Sequence, residues 1–166
     1  NEYSRGWDDK KHISISKIDT HLYLGNWKAS VDETTLKKYK IRAVVCVNVD
    51  SKCKQDRELY EKLGIAHFYI YADDSPTANL LNIFPMVIAF MHQFPKDNIL
   101  VHCTAGISRS CTVCIAYFMT KYYPSPLDQI LIEIRKKRPF VNPNPGFLKQ
   151  LIMWWKYLQY TRNELK

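Results

Sequence analysis

The sequence predicts an α/β domain built on a central, mostly parallel sheet of about five strands flanked by helices. Three observations carry that expectation. Strand-like and helix-like segments alternate along most of the chain, the order that yields parallel strands joined by crossover helices. Arg42-Ala-Val-Val-Cys-Val-Asn-Val49 is a nearly continuous apolar run, as a strand covered on both faces requires. A length of 166 residues, with 46% hydrophobic and 24% charged residues, suits one domain with a real core.

Residues 1–14 are polar and read as an N-terminal segment, with the domain proper over 15–163. Ile18 to Leu24 reads as a strand ended by Gly25-Asn26. Val31 to Tyr39 reads as a short helix, with Asp32 as its cap or first-turn acid. After the buried strand, Gln55 to Leu63 suits a helix stopped by Gly64, and Ile65 to Tyr71 returns to strand. Asn79 to Phe94 is helical in pattern, with Pro85 marking a kink or an early turn. Asn98 to Val101 is a short strand that runs straight into His102-Cys103, and Arg109 to Tyr122 is a helix stopped by Pro124. Ser125-Pro126 supplies a cap and a first-position proline for a helix to Lys137. Asn144-Pro145 repeats the device for a last helix, whose Trp154, Trp155 and Tyr160 read as core. Arg135-Lys-Lys-Arg138 reads as a solvated basic face opposing the negative helix end.

No apolar run is long enough to span a membrane, and the first residues lack the core of a secretory signal. The missing initiator Met fits a processed chain or an excised domain. Five cysteines without a framework spacing read as reduced thiols of a cytoplasmic protein, with a nuclear setting also open. Cys111 and Cys114 read as buried helix thiols, because a zinc site would need a second ligand pair. The net charge of +8 favours acidic partners without choosing among phosphoproteins, nucleic acid and anionic lipid.

The chemistry concentrates in His102-Cys-Thr-Ala-Gly-Ile-Ser-Arg-Ser110, between the end of a strand and the start of a helix. The backbone N–H groups of Thr104, Ala105, Gly106, Ile107, Ser108 and Arg109 can wrap one tetrahedral anion there, aided by the helix N-terminus behind them. Gly106 permits a positive-φ turn, and Arg109 offers a planar fork matched to two phosphate oxygens. The same field should bring the Cys103 thiol from an ordinary pKa of ~8.5 toward the ~3.5–7.5 of activated cysteines, making it the nucleophile. Ser110 can donate to the sulfur when it leaves, and His102 orients the loop through its ring nitrogens. Coincidence of this pattern is on the order of one in ten thousand from residue frequencies.

This loop closely resembles the signature of dual-specificity phosphatases in the cysteine-based protein tyrosine phosphatase superfamily, of the atypical small type with a catalytic domain only. The likeness continues through Thr112 to Met119, through Arg138-Pro-Phe-Val-Asn-Pro-Asn-Pro-Gly-Phe to Leu151, and in Leu22-Tyr-Leu-Gly25. Cys111 stands where many relatives carry Ala. The resemblance implies a protein tyrosine phosphatase-like fold, a phosphocysteine intermediate, no cofactor and no metal. It also implies a general acid on a mobile loop shortly before the Asn or Asp that opens the next helix. In Ala72-Asp-Asp-Ser-Pro-Thr-Ala-Asn79, Asp74 has the family spacing and Asp73 is the second choice. Asn144 is expected to cap the last helix and to lie near the catalytic loop.

The loop also narrows the substrate. Phosphoinositide phosphatases of this superfamily usually place lysines where Thr104 and Ile107 stand, and RNA triphosphatase and glucan phosphatase relatives carry other residues in the loop. A phosphoprotein substrate is therefore expected, with nucleic acid set aside; the oligomeric state is left open, with a monomer favoured. A non-catalytic phosphate-binding module is the competing class, but such relatives often lack the cysteine or the arginine. Cys46 and Cys53 read as structural thiols, with a protective disulfide to oxidised Cys103 as the alternative.

Overall fold

The computed structural model describes residues 12–49 and 57–164. Five strands form one sheet in the order β1-β2-β5-β3-β4: β1 (Ile15–Asp19), β2 (Leu22–Gly25), β3 (Ile41–Asn48), β4 (Ala66–Tyr71) and β5 (Asn98–His102). Among the described residues only the β1–β2 pair is antiparallel, so the expected mostly parallel sheet is found.

Side chains alternate across the central strands, and the two sets build two cores. Ala43, Val45, Val47, Ile99 and Val101 face one side with Phe84, Met119, Phe147 and Leu151. Val44 and Leu100 face the other with Leu36, Tyr60 and Ile65. The first side is covered by α4 (Phe84–His92), α5 (Arg109–Lys121), α6 (Leu127–Lys137) and α7 (Pro145–Glu164). The second is covered by α1 (Trp27–Val31), α2 (Glu33–Lys38) and α3 (Arg57–Leu63).

Several boundaries differ from the sequence reading for local reasons. The expected 18–24 strand is a hairpin: Thr20-His21 turns the chain between β1 and β2. The expected 31–39 helix is found as the shorter α2, capped by Asp32 as expected, and a further short helix that the sequence reading missed, α1, precedes it and is capped by Asn26. Asn26 Oδ1 accepts from Ala29 N at 3.1 Å, and Asp32 Oδ2 accepts from Thr35 N at 2.9 Å. Pro85 sits in the first turn of α4, preceded by a 3₁₀ turn over Leu81–Ile83, and kinks nothing. Ser125 caps nothing: Pro126 itself occupies the N-cap of α6. Asn144 does cap α7, accepting from Phe147 N at 2.9 Å. In that helix Trp154 is core, whereas Tyr160 is 62% exposed, so the aromatic stripe is only partly internal.

The cysteines need one correction. Cys103, Cys111 and Cys114 are free and buried, but Cys46 is disulfide-bonded rather than a structural thiol. That removes one argument for a fully reduced chain. Cys53 lies outside the described residues. Burial pushes the Cys111 thiol up to about 12 and the Cys114 thiol well above its ordinary value, as inert core thiols require. Among the described residues no group of three potential ligands could hold a metal ion, and no helix is long and apolar enough to cross a membrane.

Candidate active site

The parallel strands bring their carboxyl ends to one edge, where Gly25, His102 and Cys46 are level and Asn48 pairs with Tyr71. Ligands in open α/β sheets bind beyond that edge. The loop from Cys103 to Ser108 leaves β5 there and enters α5 at Arg109.

The loop is held from outside by its carbonyls. Thr104 O accepts from Trp27 N at 3.1 Å, and Ile107 O accepts from Asn142 N at 2.8 Å. Ala105 O and Gly106 O accept from the Arg138 guanidinium at 3.2 and 2.9 Å. In a trans peptide the N–H points opposite to the C=O. With four consecutive carbonyls turned outward, the N–H groups of Ala105, Gly106, Ile107 and Ser108 turn inward. Gly106 N reaches Cys103 Sγ at 3.2 Å, and Ser110 Oγ lies 3.1 Å from that sulfur. Gly106 has φ +72°, and an added Cβ would lie 2.5 Å from both Arg138 Nη2 and Gly25 O. Glycine is needed there for both conformation and space.

Arg109 is buried and its guanidinium is oriented by three elements. Nη2 donates to Thr104 Oγ1 at 3.1 Å, while Nη1 donates to Ala72 O at 3.1 Å and to Asn48 Oδ1 at 3.3 Å. Nε is buried without a hydrogen-bond partner, a donor left for a ligand. His102 is buried, and its Nδ1–H donates to Cys103 O at 3.2 Å. Ser108 Oγ accepts from Asn144 N at 3.0 Å, which ties the loop to α7.

The two candidate acids separate here. Asp74 Oδ1 accepts from Asn144 Nδ2 at 2.9 Å, whereas Asp73 Oδ1 accepts only from the neighbouring Ser75 hydroxyl at 3.2 Å. Asp74 thus joins a chain through Asn144 to Ser108 of the catalytic loop. The acid segment, expected to be mobile, is tied to α7 in other ways as well. Gln150 Nε2 donates to Ala78 O and its Oε1 accepts from Leu80 N, both at 2.8 Å. At Gly146 any Cβ would run into the Pro76 backbone.

Two site residues escaped the sequence reading. Arg138, read as part of a solvated basic face, is 1% exposed, and Nη1 also reaches Ser16 Oγ at 3.0 Å. Burial pushes its guanidinium down to about 10, with the nearby Cys103 sulfur opposing that shift. Asn48, also buried, accepts from Thr104 Oγ1 at 3.3 Å as well as from Arg109. Its signal was a polar residue closing an apolar strand at the carboxyl edge.

Known proteins resemble this chain in sequence and fold. The model of the dual specificity phosphatase catalytic domain matches residues 22–157. Dual specificity protein phosphatase 22 of Homo sapiens is 38% identical over 139 residues, covering 82% of this chain and 71% of that protein. Its Xenopus laevis counterpart is 39% identical over the same length, and the chain spans 63% of it. The crystal structure of DUSP15 superposes with a TM-score of 0.78 at 32% identity, covering 91% of this chain and 94% of that one. PTPMT1 in complex with PI(5)P reaches a TM-score of 0.77 at 18% identity, covering 89% of this chain and 98% of that one, a likeness of fold alone. The matched span holds the loop, its buried arginine and the acid segment together, and the chain belongs to the dual specificity phosphatase catalytic-domain family.

Proposed function

We propose that this chain hydrolyses phosphotyrosine and phosphoserine or phosphothreonine on proteins through a phosphocysteine intermediate. The observation that carries the reading is the row of four outward-held carbonyls, which leaves a cradle of N–H groups facing the Cys103 sulfur beside Arg109. Cys103 Sγ attacks phosphorus in line, while those N–H groups and Arg109 hold the equatorial oxygens and the charge that develops on them. Asp74 gives its proton to the leaving serine, threonine or tyrosine oxygen. Water then attacks the phosphocysteine, Asp74 takes its proton, and the sulfur departs toward the Ser110 hydroxyl. Inorganic phosphate leaves, and enzyme and proton balance are restored. The backbone dipoles and the guanidinium carry the charge stabilisation without a metal.

Turnover of an aryl phosphate at mildly acidic pH tests the reaction. Wild type is expected to hydrolyse it, Cys103→Ser to abolish the activity, and Asp74→Asn to slow it by ~10²–10⁴-fold, the usual worth of a general acid. Activity surviving Cys103→Ser sinks the mechanism; an unaffected Asp74→Asn moves the acid to Asp73. Parallel rates on phosphotyrosine peptides, phosphothreonine peptides and a short-chain phosphoinositide decide the substrate class. A dominant phosphoinositide rate would overturn the protein assignment.

A further inference from the structure

Strands β2, β5, β3 and β4 deliver their ends to one edge in that spatial order. The segment beyond β4 carries Asp74; the segment beyond β2 therefore borders the catalytic loop on its other side. There lies a cavity of about 340 Å³, lined by Ile13, Trp27, Lys28, Val31 and Asp32. It adjoins the loop at Trp27, whose N–H donates to the carbonyl of Thr104, the residue after Cys103.

The cavity is preformed. Its two walls, residues 12–14 and α1, are joined by the buried Asn26, which accepts from Ser14 N and Ala29 N at 3.1 Å and donates to His12 O at 2.8 Å. The lining is chiefly apolar: Ile13 is 46% exposed, and Trp27 and Val31 are half-buried. Asp32 is already engaged by the Thr35 N–H and hydroxyl, and Lys28 sits 6.0 Å from the centre of the Trp27 ring. Adjacent strands stand ~4.8 Å apart, and an extended peptide advances ~3.4 Å per residue. A side chain one or two positions from the phosphorylated residue thus lies at a distance comparable with the step from one strand end to the next.

We propose that the cavity is a substrate subsite for an apolar side chain one or two positions from the phosphorylated residue, contacted by Ile13, Trp27 and Val31. This rests on the phosphoprotein reading above. Aliphatic or aromatic residues fit its lining; glycine leaves it unfilled; acidic residues lose hydration there without a partner other than Lys28.

The test is a phosphotyrosine peptide panel with Leu, Phe, Gly or Glu at each of the two positions on either side. Affinities are measured by fluorescence polarisation on Cys103→Ser, and kcat/KM on wild type. Leu or Phe at one position is expected to exceed Gly by ~10-fold, the usual worth of a filled apolar pocket. Ile13→Asp, alone and with Val31→Ala, should erase that preference while leaving aryl phosphate turnover unchanged. A flat panel, or a preference that survives Ile13→Asp, overturns the subsite, whether the cavity stays empty or another part of the chain fills it. An apolar preference in binding without any turnover would instead remove the catalytic reading and leave the subsite.

Discussion

Arg138 carries its positive charge beside the loop proposed to bind the substrate anion, and donates to two of its carbonyls. Removing the guanidinium would leave Gly106 O buried without its donor, a cost of roughly 1–3 kcal/mol, and would take the donor from the part-buried Ala105 O as well. The peptide planes between residues 105 and 107 would then be free to turn, carrying inward N–H groups out of place. Arg138→Met is therefore expected to lower kcat on an aryl phosphate by ~10- to 100-fold, the scale of a displacement near 1 Å. Arg138→Lys should not restore it, because an ammonium lacks the planar fork that spans two acceptors. Circular dichroism separates that loss from unfolding. In sequence this arginine is hidden by its neighbours. Four cations in a row at a helix end look alike, and only the tertiary position of α6 turns one inward while Arg135, Lys136 and Lys137 stay out. Cys103, Gly106 and Arg109 fall in one loop as their local spacing predicts. Asn48 and Arg138 act across 56 or more than 30 positions of chain, where spacing carries no message.

At the scale of elements, the legible features were those with a strong local period or a cap. The apolar β3, the strand before the loop and the Asn144 cap all lie where residue patterns put them. The β1–β2 hairpin was not seen, because its two-residue turn interrupts one apolar stretch without glycine or proline. That hairpin is fastened to α5 by Asp19. Lys121 Nζ and Tyr122 Oη reach its carboxylate at 3.1 and 2.6 Å. Burial pushes the Asp19 carboxyl up, but Tyr122, the Thr20 backbone and Lys121 together outweigh it and hold the group below its ordinary value. A carboxyl depressed in the fold adds stability above its unfolded pKa of ~3.9 and loses it as pH falls through the lowered value. Urea titrations of wild type and Asp19→Asn should therefore differ by less than ~1 kcal/mol at pH 7, as for part-exposed ion pairs. The gap should close as the pH falls below the ordinary carboxylate range; a gap that persists in acid would assign it to packing.

For the whole molecule, the sheet supplies a rigid edge and the surrounding helices supply the groups that aim the chemistry. Fold class followed from strand and helix alternation, because every central strand is covered on both faces and reads as apolar. The candidate acid segment was picked out by its residue types, but nothing in Asp73-Asp74-Ser75-Pro76 announces that its placement depends on residues seventy positions later.

With Asp74 as the proposed acid, that dependence would tie the reaction's proton to α7, which is also a piece of core. A helix packed on one face of a sheet is the kind of cooperative unit that can open before the sheet gives way. Were it to lift, Asp74, Ala78 and Leu80 would lose their anchors together, while the cysteine cradle would lose only the Ser108 contact. Rising urea should then silence the enzyme on poor leaving groups, which need a proton, before it silences good ones, which do not. Measured on the two substrate types alongside far-ultraviolet dichroism, the first activity midpoint should precede the second. Coincident midpoints would show that last helix and sheet come apart as one.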